Sequence, residues 1–176
     1  STLKIKINKR LNQILRLNKS LLNSKNETSA DIYSLQEVEV SLAGTKRRLC
    51  YQNLWDIDYK DIEELFALHR FGWLLVAYVE EDLSWQEGIK YIAKWDIDNN
   101  DLNGVGWDSY SIAERLSNWV SFLYLKNFQT NEVTNETLKI RIFRQALYLM
   151  QNLEFRGPAT NNHIINNGRA LYLVGL

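Results

Sequence analysis

Apolar residues recur at helical spacing along most of the chain. Over residues 4–23, Ile7, Leu11, Ile14, Leu15, Leu17, Leu21 and Leu22 share one face, with Lys and Arg on the other. This predicts an amphipathic helix, and the polar run Asn23–Ser29 predicts a loop after it. Residues 30–54 carry two patterns. Ile32, Leu35, Val38 and Leu42 fit a helix, whereas Glu37–Leu42 alternates as a strand does. Lys46-Arg47-Arg48 reads as a solvated turn, or else as three charges facing an anion, and Leu49–Leu54 reads as extended. From Asp58 or Tyr59 onward, apolar side chains from Ile62 to Tyr78 cover most of a helix circumference, which predicts a helix buried between others.

Ser84 opens the next helix, with Glu87 at capping-box spacing and an end near Trp95. Asp108 or Ser109 caps a helix reaching about Lys126, with Ile112, Leu116, Trp119, Val120 and Leu123 inward; Ser111 and Glu114 offer a second capping box. A polar loop over 127–136 leads to a helix over Asn135–Asn152 with Leu138, Ile142, Ala146, Leu149 and Met150 inward. Gly157-Pro158 ends it, and Thr160 or Asn161 caps a last helix. The apolar residues 170–176 predict that this helix is buried, so the chain reads as stopping inside a core element. One proline and eight glycines argue for long helices over many short strands. The expectation is an all-α chain forming one helical domain over 1–176, with 1–30 as its N-terminal amphipathic helix and loop.

Composition narrows the partners more than the fold. The 176 residues are 45% hydrophobic, enough for one sizeable core. Lys plus Arg balance Asp plus Glu at 21 each, so no global positive field draws the chain to nucleic acid. The basic N-terminal helix fits an ordinary first helix, or one lying on a membrane surface. No apolar run reaches the roughly 18 residues of a membrane span. A single cysteine, Cys50, excludes an internal disulfide framework. Asp96-Ile97-Asp98-Asn99-Asn100-Asp101 begins like a calcium loop, but Asp101 stands where glycine is needed and Trp107 where the bidentate glutamate is needed. It reads as an acidic surface loop, and neither a metal nor a cofactor is expected.

Candidate chemistry gathers in three places. His69 shares a helix face with Trp73 and is either a satisfied core residue or a catalyst. Arg115 and Asn118 lie three apart beside Trp107 and Trp119. They form either a sugar site, with indole faces for CH groups and polar groups for hydroxyls, or a structural arginine paired with Glu114 or Asp108. Arg141 and Arg144 read as surface charges. The third place is Arg156–Leu171, which holds the only proline, four asparagines and a histidine. Capping at Thr160 or Asn161 puts Asn162 and His163 in the first turn of a helix, where free N–H groups and the helix dipole favour an anion.

Two of these segments carry a resemblance. Trp107-Asp-Ser-Tyr110-Ser-Ile-Ala113-Glu-Arg115-Leu-Ser-Asn118-Trp119 and Thr160-Asn-Asn162-His163-Ile-Ile-Asn-Asn167-Gly168-Arg-Ala170-Leu171 resemble, in order and spacing, two motifs of the heparinase II/III-like polysaccharide lyases. Leu68-His69-Arg70-Phe71 is similar to an aromatic-rich helix of the same region, and the resemblance runs from about residue 50 to the end. It implies antiparallel helical hairpins forming part of an (α/α) toroid, followed by a β-sandwich. It implies cleavage of uronate-containing acidic polysaccharide by β-elimination, in a periplasmic or secreted setting, although no leader is visible.

The residues matching the family motif are Asn162, expected to hold the uronate carboxylate, and His163, expected to act as base or orienting group. Trp107, Tyr110, Arg115, Asn118, Trp119, Arg156, Asn166 and His69 are the expected substrate contacts. Arg115, Arg156 and Arg169 suit an acidic glycan. Asn166 departs from members with a glutamate there, and the approach through Arg156-Gly-Pro-Ala-Thr also differs. Members use a further tyrosine and usually another histidine from later in the chain, so the 176 residues alone are expected to be inactive. A non-catalytic helical module binding glycan or protein is the alternative, and self-association through exposed apolar surface is expected of an incomplete toroid.

Overall fold

A computed structural model describes residues 37–55, 58–59, 61–125, 132–155 (backbone only at 132–137), 157 and 161–175. All of them belong to one unit, Gln36–Leu176. The amphipathic segment 1–30 and Arg156 lie outside the described residues.

The described chain is mostly helical, with six helices and one two-stranded sheet. The helical expectation holds at that level, and the small sheet is an addition to it. β1 (Val38–Leu42) and β2 (Thr45–Leu49) pair antiparallel, with Val38 opposite Leu49 and Leu42 opposite Thr45. The alternation over Glu37–Leu42 wins over the helical pattern because it buries Val38, Val40 and Leu42 together. Ala43 and Gly44 both take positive φ, 48° and 86°, as a two-residue hairpin turn matching strand twist requires. Lys46-Arg47-Arg48 is therefore strand, not turn. Lys46 and Arg48 face Glu39 across the sheet, at 3.0 and 4.0 Å. Arg47 donates to the buried Glu64 at 2.7 Å and ties the hairpin to the first helix. Residues Tyr51–Asn53, expected extended, form a 3-10 turn.

The long helix expected from Asp58 to Tyr78 is two helices. α1 (Ile62–Arg70) starts at Asp61, whose carboxylate accepts from the Glu63 N–H at 2.9 Å. It ends because Phe71 takes a left-handed conformation, φ 62°, and α2 (Gly72–Val79) begins there. Positive φ is unfavourable for a bulky residue. The Phe71 ring offsets that cost by full burial against Trp73 and Trp119, at centroid distances of 5.2 and 5.4 Å. The α3 helix (Trp85–Asp98) has the expected capping box: the Ser84 hydroxyl accepts from the Glu87 N–H, and Glu87 accepts from the Ser84 N–H. A 3-10 turn at Val105–Trp107 precedes α4 (Ser109–Leu125), where Asp108 accepts from the Ser111 N–H at 3.1 Å. α5 spans Glu132–Gln151 and α6 spans His163–Val174. Helix α4 is central and packs against α1, α2, α5 and α6.

Two charge assignments change. Asp96 and Asp98 fall in the last turn of α3, not in a loop. Asp96 is buried and receives Arg141 at 2.5 Å and Arg144 at 2.7 Å from α5, so these arginines are internal ties between helices. The last helix is not a core element on all sides. Ile165 and Tyr172 are 73% and 82% exposed, and the helix closes on Gly175 in the left-handed conformation. None of the described helices is long and apolar enough to cross a membrane.

Removing the Asp96 charge leaves two guanidinium groups facing each other in a nearly dry pocket. Asp96→Asn is expected to destabilise the fold by roughly 3 kcal/mol, measured as a lower urea midpoint at unchanged m-value.

Candidate functional site

Four of the expected substrate contacts lie inside the core. Arg115 is fully buried. Its Nε donates to Gln145 Oε1 at 2.8 Å, and Nη1 donates to the carbonyls of Gly106 and His69 at 2.8 and 3.1 Å. Its guanidinium lies 3.6 Å from the Trp95 ring centroid. The arginine is structural, but its partners are α1, α5 and the turn before α4, not Glu114 or Asp108. Trp107 and Trp119 are buried, and Trp107 Nε1 donates to the Asn99 carbonyl at 2.7 Å. His69 is buried as well, stacked on Trp55, and its Nδ1 accepts from Trp95 Nε1 at 2.8 Å. Burial first, and the Arg115 charge second, push the His69 pKa down to about 3. None of these four side chains presents a face to a glycan.

Of the other expected residues that the structure describes, Asn162 is exposed, Tyr110, Asn118, His163 and Asn166 are half-buried, and Tyr110 meets His163. Asn162 is exposed, and its side chain does not cap α6. Capping falls to Asn161, whose Oδ1 accepts from the His163 N–H at 2.9 Å and whose carbonyl accepts from the Ile164 N–H at 3.4 Å. The first-turn donors expected to await an anion are thus occupied. His163 is half-exposed; its Nδ1 lies 3.0 Å from Glu154 Oε1. The Tyr110 ring leans on the imidazole at 4.6 Å. The Arg70 guanidinium lies 4.9 Å from the Tyr110 centroid and 4.8 Å from that of Phe66. Asn118 donates to the Arg70 carbonyl at 2.8 Å, fixing the end of α1. Asn166 is half-buried, with its Nδ2 free of a hydrogen-bond partner among the described residues.

Asn167 holds this cluster together. It is fully buried; its Oδ1 accepts from the Glu154 N–H at 3.0 Å, and its Nδ2 donates to the Ser109 carbonyl at 3.4 Å. Ser109 Oγ in turn donates to the Asn152 carbonyl at 2.5 Å. The start of α4, the segment after α5 and the first turns of α6 are joined by one amide. Arg169 adds an outer tie to Glu114 at 2.7 Å. Arg70, Glu114 and Asn118 also line an open cleft of 580 Å³ between the hairpin, α1, α2 and α4.

No protein-family model, no curated protein and no solved structure matches the chain. The site is therefore read from its own geometry.

Glu154 and Arg70 are the members that the sequence reading missed as site residues. Glu154 lies in an irregular stretch with no motif around it, nine positions before its histidine. Arg70 stood beside His69 in the sequence, but the left-handed turn at Phe71 ends α1 just after it. The arrangement offers a half-exposed imidazole held by a carboxylate, an exposed amide next to it, and a cation behind a tyrosine. Such a set can bind a carboxylate-bearing ligand and move a proton.

The His69 shift has a sign that can be tested. Above about pH 6.5 His69 is neutral in both the folded and unfolded chain. Below it the unfolded chain takes up a proton that the folded one refuses until about pH 3. Its contribution is thus full at neutral pH and lost as pH falls through that window. Between pH 7 and pH 4.5, His69→Gln is expected to lose roughly 2 kcal/mol less stability than the parent chain, read by urea unfolding at both values.

Proposed function

We propose that the chain is the N-terminal part of an (α/α)-toroid polysaccharide lyase and carries the side of its site that recognises a uronate. The observation that carries this reading is the adjacency of Asn162 and His163 on the exposed start of α6, with the His163 imidazole seated on Glu154 and Tyr110. In β-elimination the uronate carboxylate must be neutralised before its C5 proton becomes acidic. Asn162 donates its amide to that carboxylate. His163 takes the C5 proton, the C–H electrons form the C4–C5 double bond, and the C4–O4 bond breaks with its electrons on O4. A general acid or water then protonates O4. The burial of Trp107, Arg115, Trp119 and His69 makes them the frame of this site, so substrate contact falls to Asn162, His163, Asn166 and Tyr110, with Arg70 supplying positive charge.

A second reading, a non-catalytic module that binds glycan or protein, is favoured by apolar side chains close to the same helix start. Phe155 is 72% exposed and Ile165 73%. The same side chains suit self-association.

Elimination is followed by the ultraviolet absorbance of the unsaturated uronate, over a panel of uronate polymers, using the chain and its full-length gene product. Asn162→Ala and His163→Ala are each expected to lower turnover by about 100-fold or more. Full activity in both variants would sink the assignment. Binding of uronate oligosaccharides without turnover in any preparation would instead support the module.

A further inference from the structure

The two histidines of this chain stand in opposite hydrogen-bonding roles. His69 Nδ1 accepts from an indole N–H, so its proton sits on Nε2. His163 Nδ1 faces Glu154 Oε1 at 3.0 Å. An ionised carboxylate only accepts, so two lone pairs would repel at that distance unless Nδ1 carries the proton. Glu154 is well placed to enforce this. Its side chain is 13% exposed, and its Oε2 is buried without a hydrogen-bond partner among the described residues. A desolvated carboxylate oxygen strengthens the demand for a donor on its twin. The Glu154 backbone cannot drift, because the buried Asn167 amide holds its N–H at 3.0 Å. Tyr110 fixes the plane of the imidazole from one side at 4.6 Å.

We propose that Glu154 is a positioning residue that fixes His163 as the Nδ1–H tautomer and so leaves the lone pair on Nε2. The identity of the proton removed rests on the lyase reading; the tautomer does not. When Nε2 takes up a proton, the new imidazolium is already paired with the carboxylate, so no group has to move. Asn167 then has a second-tier part: it holds the residue that holds the base.

The test uses the 176-residue chain with 15N-labelled histidine. Long-range proton–nitrogen correlation at alkaline pH, where a free imidazole is neutral, distinguishes the two tautomers. The expected spectrum shows one histidine of each kind: His69 as Nε2–H and His163 as Nδ1–H, assigned by loss of a pattern in His69→Gln and His163→Gln. In Glu154→Ala the His163 pattern is expected to collapse to the mixed tautomers of a free imidazole while that of His69 stays. Glu154→Gln, whose amide oxygen still accepts, is expected to restore Nδ1–H and also covers the case in which the alanine variant fails to fold.

An Nε2–H pattern for His163 in the parent chain, or an unchanged pattern in a folded Glu154→Ala, overturns the proposal. Turnover is measured separately on the full-length gene product. A fall in kcat of about tenfold or more with KM within about twofold is expected for Glu154→Ala. Absence of elimination in every preparation, with the tautomer as expected, removes the lyase reading and leaves the positioning role standing.

Discussion

The buried Arg115 guanidinium is the contact on which the rest of the fold depends. A cation taken out of water must recover several hydrogen bonds and a favourable field to be tolerated. Here it takes them from three segments at once: the His69 carbonyl at the end of α1, the Gly106 carbonyl before α4, and the Gln145 amide on α5. The Trp95 face on α3 lies against the guanidinium, and Nη2 is left without a hydrogen-bond partner among the described residues. Helices α1, α3 and α5 and the turn before α4 are thus registered against one planar group carried by α4. Gly106 has to be glycine for this packing, since a Cβ there would lie 2.8 Å from His69 Nδ1 and 3.1 Å from the Trp95 ring. Four of the residues expected to meet a glycan, His69, Trp107, Arg115 and Trp119, were recruited to build a core.

That recruitment explains where the sequence was legible and where it was not. Helix starts at Ser84 and Asp108 could be placed because capping is local, decided within four residues. The strand at Val38–Leu42 was half legible, since its alternation competed with a helical pattern over the same residues. The break at Phe71 was hidden. A left-handed phenylalanine carries no local signal, and its burial against Trp73 and Trp119 holds it there. Arg141 and Arg144 looked like surface charges because their partner, Asp96, lies some 45 positions earlier. Asn162 and His163 were picked out by motif; Asn162 lies exposed and His163 half-exposed at the start of α6. Glu154 could not be found from spacing, because it lies in an irregular segment after α5 and its place is held by the distant Asn167 amide.

The cluster at α6 is built differently from the core around Arg115. The core uses neutral carbonyls and aromatic faces to accommodate a permanent charge. The cluster sets a carboxylate against an imidazole, with the buried Asn167 amide behind them and the exposed Asn162 at the helix start. Asn118 and Ser109 join the two, each lying on α4 and each bonded to the backbone on the cluster's side.

The all-carbonyl seat of Arg115 also bears on temperature. Its burial cost comes from lost hydration, and the hydration of ions becomes less favourable on warming. Asp96 with its two arginines shares that dependence. The central penalty of this fold therefore shrinks as the chain is heated and is largest in the cold, where apolar burial also weakens.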